Sequence, residues 1–282
     1  MTQASVQYSL PKELEGTILA SIMHTRLPEI VGAKQKWPAT SIQMILDRAP
    51  EVRSLKKTLI RNSPAVIAEI KKASPSAGLL RREFDPAAIA GEFEKAGASA
   101  ISVVSEGKHF QGRLETLADL RWRTGLPLLR KDFIVDSYQL LESRHAGADA
   151  VLLITALLSA PLLRSLRAQA EDLGMDALVE VHDERELARA LESGATLIGV
   201  NNRDLRSFEV STDRSLSLAP HIPREVVAVS ESGIKSPDDM RQLAKAGYRG
   251  FLIGETLMRA VSPGEALLEL IEAVELLRER HR

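Results

Sequence analysis

The sequence predicts an α/β protein in which eight parallel strands close into a (β/α)8 barrel, a TIM barrel, with a helical extension at the N-terminus. From about residue 66 onward, short β-branched or apolar runs alternate with longer amphipathic stretches, which is typical of βα units. Eight such runs occur, and their starts recur every 20 to 34 residues. An open doubly wound sheet is the alternative, but no Gly-x-Gly-x-x-Gly follows any run, which disfavours its dinucleotide-binding form.

The predicted strands and helices have recognisable boundaries. The strands are expected at 66–70, 100–104, 127–130, 150–154, 177–181, 197–200, 226–229 and 250–253. Helix starts are marked by a capping residue with proline in the first turn, at 85–86, 159–161 and 236–239. Glycines at 97, 147, 194 and 247 precede strands and are expected to cap the preceding helices.

The first 65 residues have a different pattern. Helical spacing appears at 14–22 and again at 42–59, and Pro28, Gly32 and Pro38 are expected to interrupt it. We therefore expect short separate helices that cover the barrel mouth. The domain prediction is a single barrel domain over 1–282, with 1–65 as its N-terminal extension.

Composition excludes several classes of function. The 282 residues carry 37 Lys and Arg against 38 Asp and Glu, so no basic surface for nucleic acid or an acidic membrane is expected. The absence of cysteine excludes disulfides and thiolate chemistry, and no histidine spacing indicates a metal site. The most apolar passage, 150–163, is too short to span a membrane, and no secretory signal is evident, so we expect a cytoplasmic protein.

Charged residues occur where the predicted strands end. Glu69 and Lys71 share one face of the first strand by the period-two rule, and Lys131 follows the third. Glu180 and His182 share a face at the end of the fifth strand, where His182 is expected to be a structural hydrogen-bonding group. Each charge alone is typical of a solvated strand end. Because the carboxyl ends of barrel strands converge, their common placement predicts a site at the mouth.

Two further groups extend the predicted site. Asn201 and Arg203 end the sixth strand, and Glu231 ends the seventh. Serines and glycines suited to a phosphate follow the first, seventh and eighth strands, where barrels often present N–H groups to an anion. These are Ser74, Ser232, Gly233, Gly254 and Glu255.

Five motifs carry a resemblance to a known family. They are Ile67-Ala68-Glu69-Ile70-Lys71-Lys72-Ala73-Ser74-Pro75-Ser76, Leu129-Arg130-Lys131-Asp132-Phe133-Ile134, Leu178-Val179-Glu180-Val181-His182, Gly199-Val200-Asn201-Asn202-Arg203-Asp204-Leu205 and Val229-Ser230-Glu231-Ser232-Gly233-Ile234. In this order they resemble indole-3-glycerol phosphate synthase, across roughly residues 40 to 275. The resemblance implies closure of a phosphorylated anthranilate-deoxyribulose to an indole ring, with loss of CO2 and water and without a cofactor.

The resemblance also implies roles for individual residues. Lys131 matches the general acid that acts on the substrate carbonyl. Lys71 matches the residue that binds the substrate carboxylate and is expected to serve as an acid in a later step. Glu180 matches the general base. Glu69 and Glu231 match supporting carboxylates, Asn201 a positioning residue and Arg203 the active-site wall. A lysine partly removed from water is expected to have a lowered pKa, which would ease proton donation near neutrality.

The remaining implied contacts are to the two ends of the substrate. Phosphate binding is assigned to Ser74, Ser232, Gly233 and Gly254, with Glu255 able to contribute its backbone N–H alone. The anthranilate ring is expected to lie against apolar side chains that exclude water. These are Phe110, Leu129, Phe133, Leu152 and Leu178.

This chain departs from the family pattern in two places. Residues 103–110 read Val-Val-Ser-Glu-Gly-Lys-His-Phe where the family shows Leu-Thr-Glu and an aromatic pair, although Glu106 and Phe110 keep their places. We expect altered packing of this loop. Residues 23–26 replace a more charged helix, which affects the detail of the lid over the mouth.

Two alternatives remain beside this hypothesis. Phosphoribosylanthranilate isomerase is a similar phosphate-binding barrel, but it would use a cysteine, which this chain lacks. A pocket-bearing scaffold subunit would have no need of Lys71, Lys131 and Glu180 together. The partner predictions are a phosphorylated small molecule, no nucleic acid, no membrane, and a monomer or weak homo-oligomer.

Overall fold

A computed structural model describes residues 6, 8–62, 64–204 and 209–279 of the chain. Leu205, the last residue of the fourth motif, lies outside the described residues, as do parts of the predicted N-terminal extension. Within the described residues, eight parallel strands form a closed barrel. The predicted (β/α)8 barrel is confirmed.

The strands lie close to their predicted positions. The barrel consists of β1 (Ala65–Ile70), β4 (Ala100–Val104), β5 (Leu128–Lys131), β6 (Ala150–Ile154), β7 (Asp176–Val181), β8 (Leu197–Asn201), β9 (Val227–Glu231) and β10 (Gly250–Ile253). They follow one another around the barrel in chain order, and β10 closes it by pairing with β1. A small antiparallel hairpin, β2 (Ala73–Ser74) and β3 (Gly78–Leu79), occupies the loop after β1. The barrel strands are buried along almost their whole length, which agrees with their near-continuous apolar runs.

Twelve helices are described around and beside the barrel. They are α1 (Ile18–Lys36), α2 (Ala39–Gln43), α3 (Leu55–Arg61), α4 (Pro86–Lys95), α5 (Leu114–Arg121), α6 (Ser137–His145), α7 (Ala160–Asp172), α8 (Glu184–Glu192), α9 (Asp213–Leu218), α10 (Pro237–Lys245), α11 (Glu255–Arg259) and α12 (Pro263–Glu279). The predicted helix starts are confirmed, because the side chains of Asp85, Ser159 and Ser236 each accept a hydrogen bond from the first turn. The four predicted glycine caps all have positive φ.

The prediction of short helices before the barrel is wrong for α1. This helix runs without a break through Pro28 and Gly32 and ends only at Lys36, before Pro38. A proline inside a helix removes one hydrogen bond, but the burial of apolar side chains such as Met23 and Ile30 on either side of it offsets that loss. Tertiary packing therefore overrides the local signal.

The extension reaches both ends of the barrel, whereas the sequence predicted cover at the mouth alone. Helix α1 lies at the mouth, where Arg26 pairs with Asp132 immediately after β5, at 2.7 Å. Around α3, the backbone N–H of Arg53 donates to Asp149, and the N–H of Lys56 donates to Asp176 at the start of β7. The part of the extension around α3 thus packs against the amino ends of the strands, whereas α1 lies at the opposite end, where the site is.

Candidate active site

The charged residues predicted from the strand ends meet at the barrel mouth. Glu69, Glu180 and Glu231 lie at or near the carboxyl ends of β1, β7 and β9, and Lys131 ends β5. All three glutamates are buried. Because each strand alternates its side chains, the apolar residues below them fill the barrel while the charged groups face the mouth.

Lys131 lies at the centre of this group. Its Nζ atom is 2.7 Å from Glu231 Oε2, 3.5 Å from Glu180 Oε2 and 3.9 Å from Glu69 Oε2. Lys71, two residues beyond Glu69, places its own Nζ 2.5 Å from Glu69 Oε1. Two lysines and three glutamates therefore form one connected cluster, which we call the mouth cluster.

The expected lowering of the lysine pKa is wrong for Lys131. Burial by itself lowers the pKa, but the charges of Glu231, Glu180 and Glu69 raise it by more, so it lies above its ordinary value. The desolvation argument considered the burial and left out the three carboxylates. Lys131 is consequently an ammonium ion over the whole physiological pH range.

The carboxylates of the mouth cluster have different pKa values. Burial raises the pKa of Glu180, but the charge of Lys131 and the hydrogen bonds from His182 and Asn201 lower it to about 2. The pKa of Glu69 is also lowered, because Lys71 and Lys131 outweigh its burial. For Glu231, burial and the neighbouring carboxylates outweigh Lys131 and raise the pKa to about 7. Glu180 is therefore ionised at neutral pH, whereas Glu231 is the carboxylate of the cluster whose pKa lies closest to neutral pH.

Asn201 and Arg203 adjoin the mouth cluster. The backbone N–H of Arg203 donates to Asn201 Oδ1 at 3.0 Å, which fixes the Asn201 amide. The Arg203 side chain donates to Glu255 Oε2 at 3.2 Å, and Glu255 Oε1 accepts from Arg259 at 3.0 Å. Glu255 thus lines the cavity, with its carboxylate held between two arginines.

The serines and glycines predicted to bind phosphate line the same cavity. Ser74, Ser232, Gly233, Gly254 and Glu255 all contribute to its wall. Ser232 and Gly233 both have positive φ, +65° and +77°, and for serine this is an uncommon backbone conformation. Gly254 has a second function, since a Cβ at this position would overlap the Glu69 carboxylate. We call this side of the cavity the anion subsite.

The opposite side of the cavity is apolar. Phe110, Phe133 and Leu152 line it, and the rings of Phe110 and Phe133 lie 6.0 Å apart between centroids. Ile18, Leu19 and Ile22 of α1 complete this wall from above, in a cavity of about 680 Å³. An aromatic ring would be held here by apolar burial.

The prediction that Leu129 and Leu178 contact the substrate ring needs correction. Both are fully buried and neither lines the cavity. Each lies two residues before a mouth-cluster residue on the same face of its strand, and hence about 6.6 Å deeper in the barrel. They support the site from below.

The loop that departs from the family pattern is held by one buried carboxylate. Glu106 accepts hydrogen bonds from the backbone N–H groups of Lys108, His109 and Phe110, and it pairs with the His109 ring at 3.0 Å. These bonds orient the loop so that Phe110 reaches the apolar wall.

Sequence reasoning missed two connections at the site. Asp132, next to Lys131, is buried and accepts from Arg26, Ser105 and Arg130, which ties α1 to the end of β5. His182 bridges Glu180 and Glu186. The alternation of side chains along β7 predicts that Glu180 and His182 share a face. The contact with Glu186 could not be predicted, because it depends on how α8 packs against the strand.

Two other features bear on the class of protein. Among the described residues, no group of His, Asp and Glu is arranged to hold a metal ion. No helix in that part of the chain combines the length and apolarity needed to cross a membrane.

A closed (β/α)8 barrel with lysine and glutamate side chains in contact at its mouth, between an apolar wall and an anion subsite, defines a barrel enzyme of the acid–base type. A family model described as indole-3-glycerol phosphate synthase matches residues 19–270. The chain belongs to this family, whose members are decarboxylating, ring-closing lyases of tryptophan biosynthesis.

Individual relatives agree with the family match. Proteins named indole-3-glycerol phosphate synthase include one from Carboxydothermus hydrogenoformans, 47% identical over 261 residues, covering 90% of this chain and 99% of its own length. Another, from Laribacter hongkongensis, is 45% identical over 258 residues, covering 90% of this chain and 98% of its own length. The chain thus spans nearly the full length of these relatives.

Solved structures agree with the fold alone. Thiamine phosphate pyrophosphorylase from Pyrococcus furiosus superposes with a TM-score of 0.58 at 17% identity, covering 77% of this chain and 98% of its own. KGPDC from Streptococcus mutans gives a TM-score of 0.58 at 13% identity, covering 76% of this chain and 99% of its own.

Proposed function

We propose that this chain converts 1-(2-carboxyphenylamino)-1-deoxyribulose 5-phosphate to indole-3-glycerol phosphate, with release of CO2 and water. The observation that carries the proposal is Lys131, half-buried at the barrel mouth and in contact with three carboxylates. Membership of the family supports the same reaction. The conversion loses only CO2 and water, so it requires no oxidant, reductant or cofactor.

Lys131 is the proposed general acid. The ring carbon that bears the carboxylate attacks the ketose carbonyl, and Lys131 protonates the oxygen as a new carbon–carbon bond forms. The raised pKa keeps Lys131 protonated until the substrate arrives, and the developing alkoxide is a strong enough base to take its proton. The three carboxylates hold the ammonium in place before the substrate arrives.

Lys71 is the proposed partner of the substrate carboxylate. Its ion pair with Glu69 aims the ammonium at the cavity and is the contact that an incoming carboxylate would share. Loss of CO2 then breaks the bond between the carboxyl carbon and the ring, and the bonding electrons return to the ring system.

Glu180 is the proposed general base that removes a proton from the former methylene carbon next to the nitrogen, now part of the new five-membered ring. The hydroxyl formed from the carbonyl oxygen takes a second proton, proposed to come from Lys71, and leaves as water. Glu69 and Glu231 are the proposed supporting carboxylates, and Asn201 is the proposed positioning residue, whose side chain favours the ionised form of Glu180. Arg203 forms part of the wall between this centre and the anion subsite.

The two ends of the cavity match the two ends of the proposed substrate. We assign the phosphate to the anion subsite formed by Ser74, Ser232, Gly233, Gly254 and Glu255. The aromatic ring is assigned to the wall of Phe110, Phe133 and Leu152. Lys131 also lines this cavity, where a carbonyl between ring and phosphate would be accessible to it.

The N-terminal extension is proposed to act as a lid, because apolar residues of α1 complete the ring wall and Arg26 attaches that helix to Asp132. We further propose that 1–282 is a single barrel domain that acts in the cytoplasm as a monomer or weak homo-oligomer. Sedimentation of the purified protein at micromolar concentration tests the oligomeric state, and a tight dimer would contradict it.

The proposed reaction is tested by adding the carboxyphenylamino-deoxyribulose phosphate to purified protein and recording indole fluorescence and CO2. Equal molar amounts of indole product and CO2 are expected. Substrate that binds without turnover would indicate the scaffold alternative and overturn the proposal. The ribosyl-anthranilate phosphate, the substrate of the isomerase alternative, serves as the matched negative substrate.

A further inference from the structure

His182 lies directly behind Glu180, outside the cavity. It follows β7, and its side chain is only 9% exposed. The Nε2 atom is 3.3 Å from Glu180 Oε1, and the Nδ1 atom is 3.0 Å from Glu186 Oε2. The backbone N–H of His182 also donates to Glu186 Oε2, at 2.8 Å. The ring is therefore held on both sides by carboxylates and does not line the cavity.

This geometry determines the charge of the imidazole. A neutral ring carries one N–H and one lone pair, so one of the two carboxylates would face a lone pair. The imidazolium has a donor on each nitrogen, so its positive charge and N–H groups face both carboxylates. Burial alone would lower the pKa of His182, but the neighbouring carboxylates of Glu180 and Glu186 raise it to about 9.

The imidazole and Lys131 contact different oxygens of Glu180. Lys131 Nζ is near Oε2 and His182 Nε2 is near Oε1, so each of the two oxygens of the carboxylate has its own cation. Because Oε1 is occupied by a group outside the cavity, Oε2 is the oxygen left to face Lys131 and the substrate. We propose that His182, as an imidazolium, is a positioning residue that fixes Glu180 for proton removal; this inference rests on the proposed function.

The partner on α8 is itself fixed. Glu186 lies in the first turn of α8, and its backbone N–H donates to the capping residue Asp183 at 2.8 Å. A carboxylate is stabilised at a helix N-terminus by the helix dipole. The charged groups that face His182 are thus Glu180 on its own strand and Glu186 on α8, with Lys131 of β5 beyond Glu180.

The first test needs no substrate. Nitrogen-15 NMR of the histidine rings is expected to show His182 as an imidazolium at pH 7.5, with a titration near pH 9. In Glu180→Gln and in Glu186→Gln the titration should move to lower pH, because each change removes one of the two carboxylates. A neutral His182 at pH 7.5 in the wild type would overturn the inference.

The second test is turnover. His182→Gln should lower kcat by about 10- to 100-fold, since a misplaced general base loses much of a contribution of about 10²- to 10⁴-fold. KM should change little, because the ring does not line the cavity. The wild-type kcat should fall above about pH 9. In Glu186→Gln, which keeps both His182 and Glu180, this alkaline fall of kcat should begin at lower pH.

His221→Gln is the matched control, since His221 also pairs with a glutamate, Glu184, but on the exposed surface. It should leave kcat and the pH profile unchanged. Wild-type kcat and an unaltered pH profile in His182→Gln would overturn the inference. If that variant fails to fold, the pH profile of Glu186→Gln serves as the test, and an alkaline fall of kcat at the wild-type pH would overturn the inference. A wild type without turnover would overturn the proposed function and the catalytic part of this inference. The NMR titration would still test whether His182 is paired with Glu180 and Glu186.

Discussion

Gly199 on β8 provides the space that the carboxylate of Glu231 occupies on β9. A Cβ at position 199 would overlap Glu231 Oε1, and it would also come within 3.3 Å of Leu178 Cδ1. Glycine inside a strand weakens the strand, so its presence here marks a close approach of another group. The Glu231 carboxylate can occupy its position only because residue 199 has no Cβ. The position of Lys131, which contacts Glu231, depends on it in turn.

Gly199→Ala should therefore damage catalysis more than folding. Displacement of Glu231 removes the 2.7 Å contact with Lys131 Nζ, and we expect kcat to fall about 100-fold, a typical loss for a disturbed acid–base group. Gly91→Ala on α4 is the matched control, because a Cβ there meets nothing within 4 Å. The control should keep its kcat and gain up to about 1 kcal/mol of stability from helix propensity. Equal kcat values in the two variants would contradict this account of Gly199.

Arg26 should hold the lid in place. Its Nε and Nη2 atoms lie 3.1 and 2.7 Å from the two oxygens of Asp132, a bidentate pair. Arg26→Met keeps the apolar stem but removes these hydrogen bonds, and we expect the free energy of unfolding to fall by about 2 kcal/mol. KM should rise, since α1 forms part of the cavity wall. Calorimetry and steady-state kinetics measure the two effects, and an unchanged KM would show that α1 stays docked without Arg26.

Asp132 gives the protein a specific sensitivity to acid. Although burial raises its pKa, Arg26, Arg130 and Ser105 lower it from 3.8 to about 2. A group with a depressed pKa stabilises the folded state above its unfolded pKa, and this contribution is lost as the pH falls from about 4 through about 2. Its size is about 2.5 kcal/mol. In Arg26→Met the pKa of Asp132 should rise, so denaturant unfolding measured between pH 2 and 6 should show a smaller total loss. A loss as large as that of the wild type would contradict this assignment.

Glu255 should weaken the binding of phosphate. Its carboxylate lines the anion subsite and pairs with Arg203 and Arg259, so it competes with a substrate phosphate for the same positive field. Glu255→Gln should lower KM about fivefold with kcat unchanged, an effect in the range of a partly exposed ion pair. Inorganic phosphate should also inhibit the variant more strongly than the wild type. A higher KM would show that the carboxylate organises the arginines for binding instead.

The sequence predicted the barrel well because its signal is periodic. All eight strands were expected, with ends that differ from the structure by no more than two residues. The largest difference is at β9, which continues through Ser230 and Glu231, because the apolar run that predicts the strand stops at Val229. The continuous α1 was not predicted, since its path through Pro28 depends on packing against the barrel.

The residues of the mouth cluster could be predicted from the sequence, but their depth in the barrel, their contacts and their pKa values could not. Strand parity places Glu180 and Lys131 on the correct faces but contains no information on depth. The resemblance implied a ring contact for Leu178, which lies below the cavity. The pKa of Lys131 depends on carboxylates from three other strands. The contact of His182 with Glu186 and that of Arg26 with Asp132 likewise depend on packing between elements.

The measurement that tests the central claim most directly is kcat of Lys131→Ala at saturating carboxyphenylamino-deoxyribulose phosphate, followed by indole fluorescence. The account predicts a fall of about 1,000-fold, within the range expected for loss of a general acid, in a protein whose circular dichroism spectrum is unchanged. A folded Lys131→Ala variant with kcat within tenfold of the wild type would contradict the assignment of Lys131 as the acid.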